Sequence, residues 1–519
     1  MDMMSERASG ARICVPLCAD DFEGAWQLAA RAHAVADMFE LRLDCFDEFA
    51  RADRAPVELI QALRPFIRER TRPLILTLRP EEQGGWSHLR AEERARFWRE
   101  LFARGEAPDF VDLELDLIEG LGHEALDWSR IICSHHEFLE SPIDLEALYE
   151  RMARLPARLL KIAVSVTDAV ECLPIFHLLA RARRDGRQLI AIAMGFAGVV
   201  TRVLGPAHGA FLTYAPLIKE GATAPGQVTA AELRDLYRID AINRETQIYG
   251  IIGSPVAYSI SPQIHNRAFA SRNMDAVYLP FETRDVESFI RRLVHPRTRE
   301  VDWRWRGLSV TIPHKSAILN LLDSVDEAAR QIGAVNTIVV EEDGLRGYNT
   351  DAEGVLAPLR EAIDLKGARV AIIGAGGAAR AALWAFKREG ARVTLFARDL
   401  PKAQPVAREF GADLQSLAEA RFASFDLVVN ATPLGARGAN EGRTPATAEQ
   451  LRGAGIAYDL VYNPSETLFL REARQAGCRT IGGLSMLVAQ ATRQFELWTG
   501  EEAPVDLMLE VATRALEKN

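Results

Sequence analysis

Between Ala11 and about Arg238 the sequence carries eight short apolar runs, and their rhythm constrains the fold more than any other feature. They read ARICVPLCA (11–19), DMFELRLDC (37–45), RPLILTLR (72–79), DFVDLELD (109–116), RIICSHHEF (130–138), RLLKIAVSV (158–166), QLIAIAMGF (188–196) and GAFLTYAPL (209–217). Most are separated by stretches such as EERARFWRELFARG (92–105) and LPIFHLLARARRDG (173–186), whose apolar residues fall at helical spacing. Eight strand–helix alternations in about 230 residues predict a (β/α)8 TIM barrel. An open doubly wound sheet is the alternative that the pattern alone leaves standing.

Polar residues inside these runs mark where chemistry would sit. Glu40 and Arg42 interrupt the second run, Arg79 ends the third, and Asp112 and Glu114 lie in the fourth. His136 ends the fifth, Lys161 lies within the sixth, and Arg202 follows the seventh. A buried charge is costly unless it is paired or used, and six strands contributing charges toward one end of a barrel read as an active site. Lys161 stands out because KIAVSV is a run that should be buried. Burial beside arginine cations would favour its neutral form, as an amine nucleophile requires.

After Arg238 the rhythm changes. Strand and helix alternate with polar punctuation to about residue 360, and then KGARVAIIGAGGAARAALWAFKREGARVTLFARD (366–399) reads as strand, glycine turn, helix and second strand. The turn carries Gly374-x-Gly376-x-x-Ala379 in the context a dinucleotide site requires. Its glycines let backbone N–H groups approach a pyrophosphate at the helix N-terminus. The second strand ends in Ala397 and Arg398, with Lys402 a helical turn on, which favours the 2′-phosphate of NADP. Asp399 reads as a helix N-cap rather than a ribose ligand.

The 519-residue length suggests roughly three domains. A net charge of −10 argues against nucleic-acid binding, and no apolar run reaches the ~18 residues of a membrane span. Met1 to Arg12 lacks the apolar segment of a secretion signal and is too short and acidic for a transit peptide, so a cytoplasmic protein is expected. The six cysteines show no metal-ligand spacing and read as reduced core thiols; no metal site is expected.

Ordered motifs extend the reading. ELRLD (40–44), VDLELD (111–116), SHHEF (134–138), LLKIAV (159–164), the spacing of Met194 and Arg202, and ATAPGQ (222–227) resemble type I 3-dehydroquinate dehydratase along almost the whole first half. YSISP (258–262), SVTIPHK (309–315), GAVNT (333–337), GYNTD (347–351), GAGGAAR (374–380), NATPLG (430–435), YDLVYNP (458–464) and GGLSMLVAQA (482–491) resemble shikimate dehydrogenase nearly end to end. The order resembles the bifunctional fusions of plants and some bacteria, whose two activities are consecutive steps of the shikimate pathway.

The resemblance implies roles. In the dehydratase half it implies an imine on Lys161, with His136 as the proton-transferring base and His135 as its competitor. Glu40, Arg42, Arg79, Arg202, Thr223 and Gln227 would bind substrate, Arg202 taking the carboxylate, with no cofactor. In the dehydrogenase half it implies Lys315 and Asp351 as the catalytic pair. Ser259, Ser261, Thr311, Asn336, Tyr462 and Gln490 would bind substrate. Gly374, Ala375, Gly376, Gly377, Ala378, Ala397, Arg398 and Lys402 would form the NADP(H) site. The domains expected are a barrel over 1–240, a substrate lobe over 247–355 completed by 480–519, and a Rossmann-type NADP lobe over 356–480. The partners are small molecules (3-dehydroquinate, 3-dehydroshikimate, shikimate), in a monomer or homodimer.

The sequence also departs from the families' patterns. Gln83 stands where the dehydratases usually have glutamate, and Thr223 where serine is frequent. Tyr258 replaces a histidine, Ser309 an asparagine, and Ala397 and Asp399 the flanks of an Asn-Arg-Thr motif. These keep two alternatives open: a quinate/shikimate dehydrogenase using NAD, and a catalytically silent ligand sensor.

Overall fold

The structure is a computed structural model that describes residues 10–47, 56–105, 108–121, 126–138, 144–221 and 226–517. The chain divides into two compact units at Thr246/Gln247.

The first unit contains the eight expected strands: β1 (Ile13–Leu17), β2 (Met38–Arg42), β3 (Leu74–Thr77), β4 (Phe110–Glu114), β5 (Ile131–Glu137), β6 (Leu159–Ser165), β7 (Leu189–Met194) and β8 (Thr213–Tyr214). They pair in sequence order, all in parallel, and β1 also pairs with β8. A bridge between Leu189 and Ala210, with the Phe211 amide donating to Leu189 O at 2.9 Å, brings the last gap nearly to closure. The result is a TIM barrel.

Alternation along the strands decides what fills it. Side chains at i and i+2 share a face, so each strand sends every second residue inward. The first inward set is apolar: Met38, Ile75, Phe110, Ile132, Leu159 and Ile190 belong to one buried cluster. Two residues on, the same faces carry Glu40, Thr77, Asp112, Ser134 and Lys161. Two further on come Arg42, Arg79, Glu114 and His136. The barrel is thus plugged by hydrocarbon at the N-terminal ends of its strands and charged toward their C-terminal ends.

One sequence expectation is overturned. Cys18 and Cys45 form a disulfide, with Cα atoms 5.4 Å apart. The β1–β2 register pairs Leu17 with Leu41, and the chain just beyond each strand turns the two cysteines together. A separation of 27 residues hides that proximity in the sequence. Cys14, Cys133, Cys172 and Cys478 are buried free thiols.

The second unit is built on two six-stranded sheets. The first has the order β10 (Ala276–Glu282), β9 (Gln247–Gly253), β11 (Arg304–Val310), β13 (Thr337–Val340), β14 (Leu345–Tyr348) and β12 (Ser324–Val325). It is mixed: β11 runs parallel to β9 and antiparallel to β13. Helix Leu484–Thr499 packs on it, Trp498 Nε1 donating to Ile338 O at 2.9 Å and Gln494 Nε2 to Asn336 O at 3.2 Å. Gly307 permits this approach, since a Cβ there would meet the Trp498 indole at 2.2 Å.

The second sheet is wholly parallel, in the order β17 (Asp413–Ser416), β16 (Arg392–Ala397), β15 (Arg369–Ile373), β18 (Leu427–Asn430), β19 (Ile456–Asp459) and β20 (Arg479–Ile481). This is the Rossmann arrangement, with the direction of winding reversing between β15 and β18. Among the described residues, no helix is long and apolar enough to cross a membrane.

Candidate active sites

A cavity opens above the apolar plug of the barrel. Its lining includes Glu40, Arg42, Arg79, His136, Lys161, Arg202 and Gln227, seven of the eight predicted dehydratase residues. The eighth, Thr223, lies outside the described residues.

At the cavity floor, Lys161 Nζ lies 2.8 Å from Asp112 Oδ2, 3.5 Å from Glu40 Oε1 and 3.2 Å from the Tyr214 hydroxyl. The charges against the amine are therefore carboxylates, where arginines were expected. The other Asp112 oxygen faces Arg79 Nη2 at 2.7 Å, and Arg79 Nη1 reaches Glu114 at 3.1 Å. Burial opposes ionisation of Asp112, but Arg79 and Lys161 hold its carboxyl far below the usual carboxylate range. Thr77 donates to Glu40 at 2.8 Å, and Ser134 donates to Asp112 at 2.6 Å. Every charge in this buried group has an opposite partner, the condition for keeping such a group inside a barrel.

His136 lines the cavity and His135 does not, because neighbours on a strand face opposite ways. Loss of solvent, reinforced by the Arg79 and Lys161 charges, pushes the His136 imidazole well below its ordinary value, so the ring is a neutral base. The His136 backbone amide donates to Gln83 Oε1 at 3.2 Å, so the glutamine that departs from the family pattern still sits beside the histidine. Arg202, 1% exposed, leaves Nε and Nη2 without a partner. Burial alone pulls it down to about 10, still well above neutrality. A charged fork held unpaired against a cavity fits an anionic ligand group. Arg42, by contrast, is engaged by Asp44 at 2.9 and 2.6 Å.

In the second unit, Lys315 Nζ lies 2.5 Å from Asp351 Oδ2. The other Asp351 oxygen accepts from Asn336 Nδ2 at 2.8 Å. Asn336 Nδ2 also reaches Thr350 at 2.9 Å and Gln490 at 3.4 Å, and its Oδ1 accepts from the Thr350 amide at 2.8 Å. The buried polar chain continues from Tyr278 through Ser309 to Gln494 at 2.7 and 2.8 Å. Asn336 thus links Asp351 to Gln490, and Gln494 joins the Ser309 end of the chain to the Asn336 carbonyl. Ser259 and Tyr462 share a hydrogen bond, as do Ser261 and Tyr278. Thr311 is half-buried in the chain segment that carries Lys315.

The glycine turn follows β15. Gly374 has φ +111°, and a Cβ there would meet Thr432 Cγ2 at 2.9 Å. A Cβ on Gly376 would meet nothing, so the turn is open where helix Gly377–Arg388 begins. Gly377 packs within 3.1 Å of Lys315, as measured from the position of a Cβ, which brings the turn against the Lys315 side chain. Arg398 and Lys402 are exposed, while Ala397 is buried in the sheet's core. Asp399 caps the next helix by accepting from the Lys402 amide at 3.1 Å. An open turn at a helix N-terminus, with two exposed cations beyond the second strand, fits the pyrophosphate and 2′-phosphate of NADP.

Family models agree with this division. The type I 3-dehydroquinase model matches residues 13–244, and the shikimate dehydrogenase substrate-binding domain matches 251–338. The shikimate/quinate 5-dehydrogenase model matches 357–437, and the shikimate 5′-dehydrogenase C-terminal domain matches 483–513. The chloroplastic bifunctional 3-dehydroquinate dehydratase/shikimate dehydrogenase of Arabidopsis thaliana is 32% identical over 528 residues, covering 97% of this chain and 84% of that one. The chain belongs to the bifunctional 3-dehydroquinate dehydratase/shikimate dehydrogenase family. An NADP(+) shikimate dehydrogenase of Methanococcus aeolicus is 36% identical over 275 residues, 51% of this chain and 97% of that one. A crystal structure of the Thermus thermophilus shikimate 5-dehydrogenase with NADP(H) and shikimate is 37% identical, covers 52% of this chain and 100% of that one, and has a TM-score of 0.46.

For this dehydratase/dehydrogenase, sequence reasoning missed several participants. Tyr214 at Lys161 and Gln494 behind Asn336 carry no local signature, whereas Asp44 and Thr350 lie inside ELRLD and GYNTD without a part of their own. Asp112 was visible as a charge in a buried strand, but its position between Lys161 and Arg79 also depends on strand order.

Proposed function

We propose that the chain catalyses two consecutive reactions, dehydrating 3-dehydroquinate to 3-dehydroshikimate and reducing that product to shikimate with NADPH. The observation that carries the first step is the buried Lys161 amine on the floor of a cavity shared with His136 and Arg202. In this reading Arg202 holds the substrate carboxylate and Lys161 forms an imine with the ketone. The iminium withdraws electrons, so the adjacent C–H becomes acidic enough for the neutral His136 ring to take its proton. The imidazolium then protonates the departing hydroxyl. Glu40, Arg42, Arg79 and Gln227 surround the remaining hydroxyls, and the part given to Thr223 rests on the family resemblance alone.

In the second unit the cofactor, when bound, supplies the hydride. Lys315 gives its proton to the oxygen that gains charge, and Asp351 keeps that ammonium oriented. Ser259 and Ser261 take the substrate carboxylate, and Thr311, Asn336, Tyr462 and Gln490 complete the pocket. Gly374 to Ala378 cradle the pyrophosphate, and Arg398 and Lys402, at the end of the strand closed by Ala397, hold the 2′-phosphate. Residues 247–355 with 480–519 serve as the substrate lobe and 356–480 as the cofactor lobe. We place the enzyme in the cytoplasm, as a monomer or homodimer, acting on small molecules without nucleic-acid partners.

Lys161→Ala tests the first assignment. Dehydration should fall to background while shikimate oxidation by NADP continues at the parent rate. Loss of both activities would contradict independent sites, and retained dehydration would remove Lys161 from the reaction.

A further inference from the structure

Tyr214, at the end of β8, lines the barrel cavity and is 5% exposed. Its ring lies under Lys161 Nζ, 4.3 Å from centroid to nitrogen, and its hydroxyl is 3.2 Å from the same atom. An ammonium has three N–H donors. Here each has its own acceptor: Asp112, Glu40 and the Tyr214 hydroxyl. The phenol differs from the two carboxylates in carrying a proton of its own. Burial, followed by the Glu40 charge, pushes it well above the ordinary phenol value, so that proton stays on. Asp112, held ionised by Arg79 and Lys161, has none to give.

Resting on the reading of Lys161 as the imine-forming amine, we propose that Tyr214 is a further catalytic residue that relays protons from the lysine nitrogen to the ketone oxygen during imine formation. The step converts a ketone and an ammonium into an iminium and water. One ammonium proton passes through the phenol to the carbonyl oxygen, which frees the nitrogen lone pair to form the C–N bond as the carbonyl π pair moves to oxygen. A second proton passed the same way makes that oxygen water, and the C–O bond breaks as the nitrogen pair closes the iminium. Both hydrogens of the departing water begin on the lysine nitrogen, and one N–H remains in the iminium. In the tetrahedral carbinolamine, nitrogen and oxygen share one carbon, so a direct transfer would follow a strongly bent path, where hydrogen bonding is weak. A hydroxyl held against the nitrogen accepts one proton as it passes its own to the oxygen. It ends as it began, and no phenolate accumulates. His136 remains free for the carbon-bound proton.

Tyr214→Phe keeps the ring and removes only the hydroxyl, and the full chain supplies its own control in shikimate oxidation, which should be unaltered. Each protein is mixed rapidly with 3-dehydroquinate, quenched with borohydride at increasing times, and weighed intact by mass spectrometry. The rate of adduct formation should fall about a hundredfold, at the lower end of general acid–base contributions. kcat should fall with it and KM should change little. Adduct formation at the parent rate would overturn the relay. So would a raised KM with unchanged trapping, which would make Tyr214 a binding residue. Failure of the unsubstituted chain to form any adduct on Lys161 would overturn the lysine reading itself, and it is read without the variant.

Discussion

Arg202 and Arg398 are both arginines assigned to anions, and they solve the problem differently. Arg202 is buried, and two of its nitrogens have no partner. Arg398 stands in solvent at the end of β16, beside exposed Lys402. Hydrogen bonds to charged groups contribute about 1.5–3 kcal/mol, or tenfold and more in affinity. Arg398→Ala is therefore expected to raise KM for NADPH about tenfold or more and leave KM for shikimate unaltered; steady-state kinetics with each substrate varied would check it. An unchanged NADPH value would remove the phosphate role. Sequence made both arginines visible, because Arg202 follows a predicted strand and Arg398 ends one. It could not show that Asp44 engages Arg42, or that the neighbours of Lys161 are carboxylates. The first depends on how the chain turns just after β2, and the second on which strands lie side by side.

Strands and helices were legible wherever one period dominated. The eight apolar runs of the barrel became eight strands, because short continuous apolar runs suit strands buried on both faces, and the glycine turn became a strand–turn–helix, where the period changes from strand to helix. The disulfide was not legible, since it depends on two strand ends meeting in register. Helix Ser261–Ser271 shows a further consequence of packing. It buries His265 completely, with the ring stacked on Tyr278 at 4.6 Å and near Trp498 at 5.1 Å. Burial pulls this imidazole down to about 3. Its folded value lies below its unfolded value of about 6.5, so the unfolded chain takes the proton first as pH falls. Stability from His265 is intact above that unfolded value and declines between it and the folded value, by about 3 kcal/mol at pH 4.5 relative to pH 7.5. Urea unfolding of the dehydrogenase unit at the two pH values should show the decline, and His265→Phe should flatten it. An equal decline in that variant would assign acid sensitivity elsewhere.

For the molecule as a whole, two chemistries share one chain but not one architecture. The barrel gathers its charges from many strands onto one end of a nearly closed sheet. The second unit places a lysine–aspartate pair on one sheet and a glycine turn on the other, with Gly377 against Lys315. The likeness to the Arabidopsis bifunctional enzyme over 97% of the chain spans both units. Both sites are expected to turn over, in sequence. The most direct test supplies purified protein with only 3-dehydroquinate and NADPH, following the ultraviolet absorbance of the enone and the loss of NADPH together. NADPH should be consumed as shikimate accumulates, with the enone only transient. Enone that builds up while NADPH persists would contradict the assignment of the second unit, and two silent signals would contradict both.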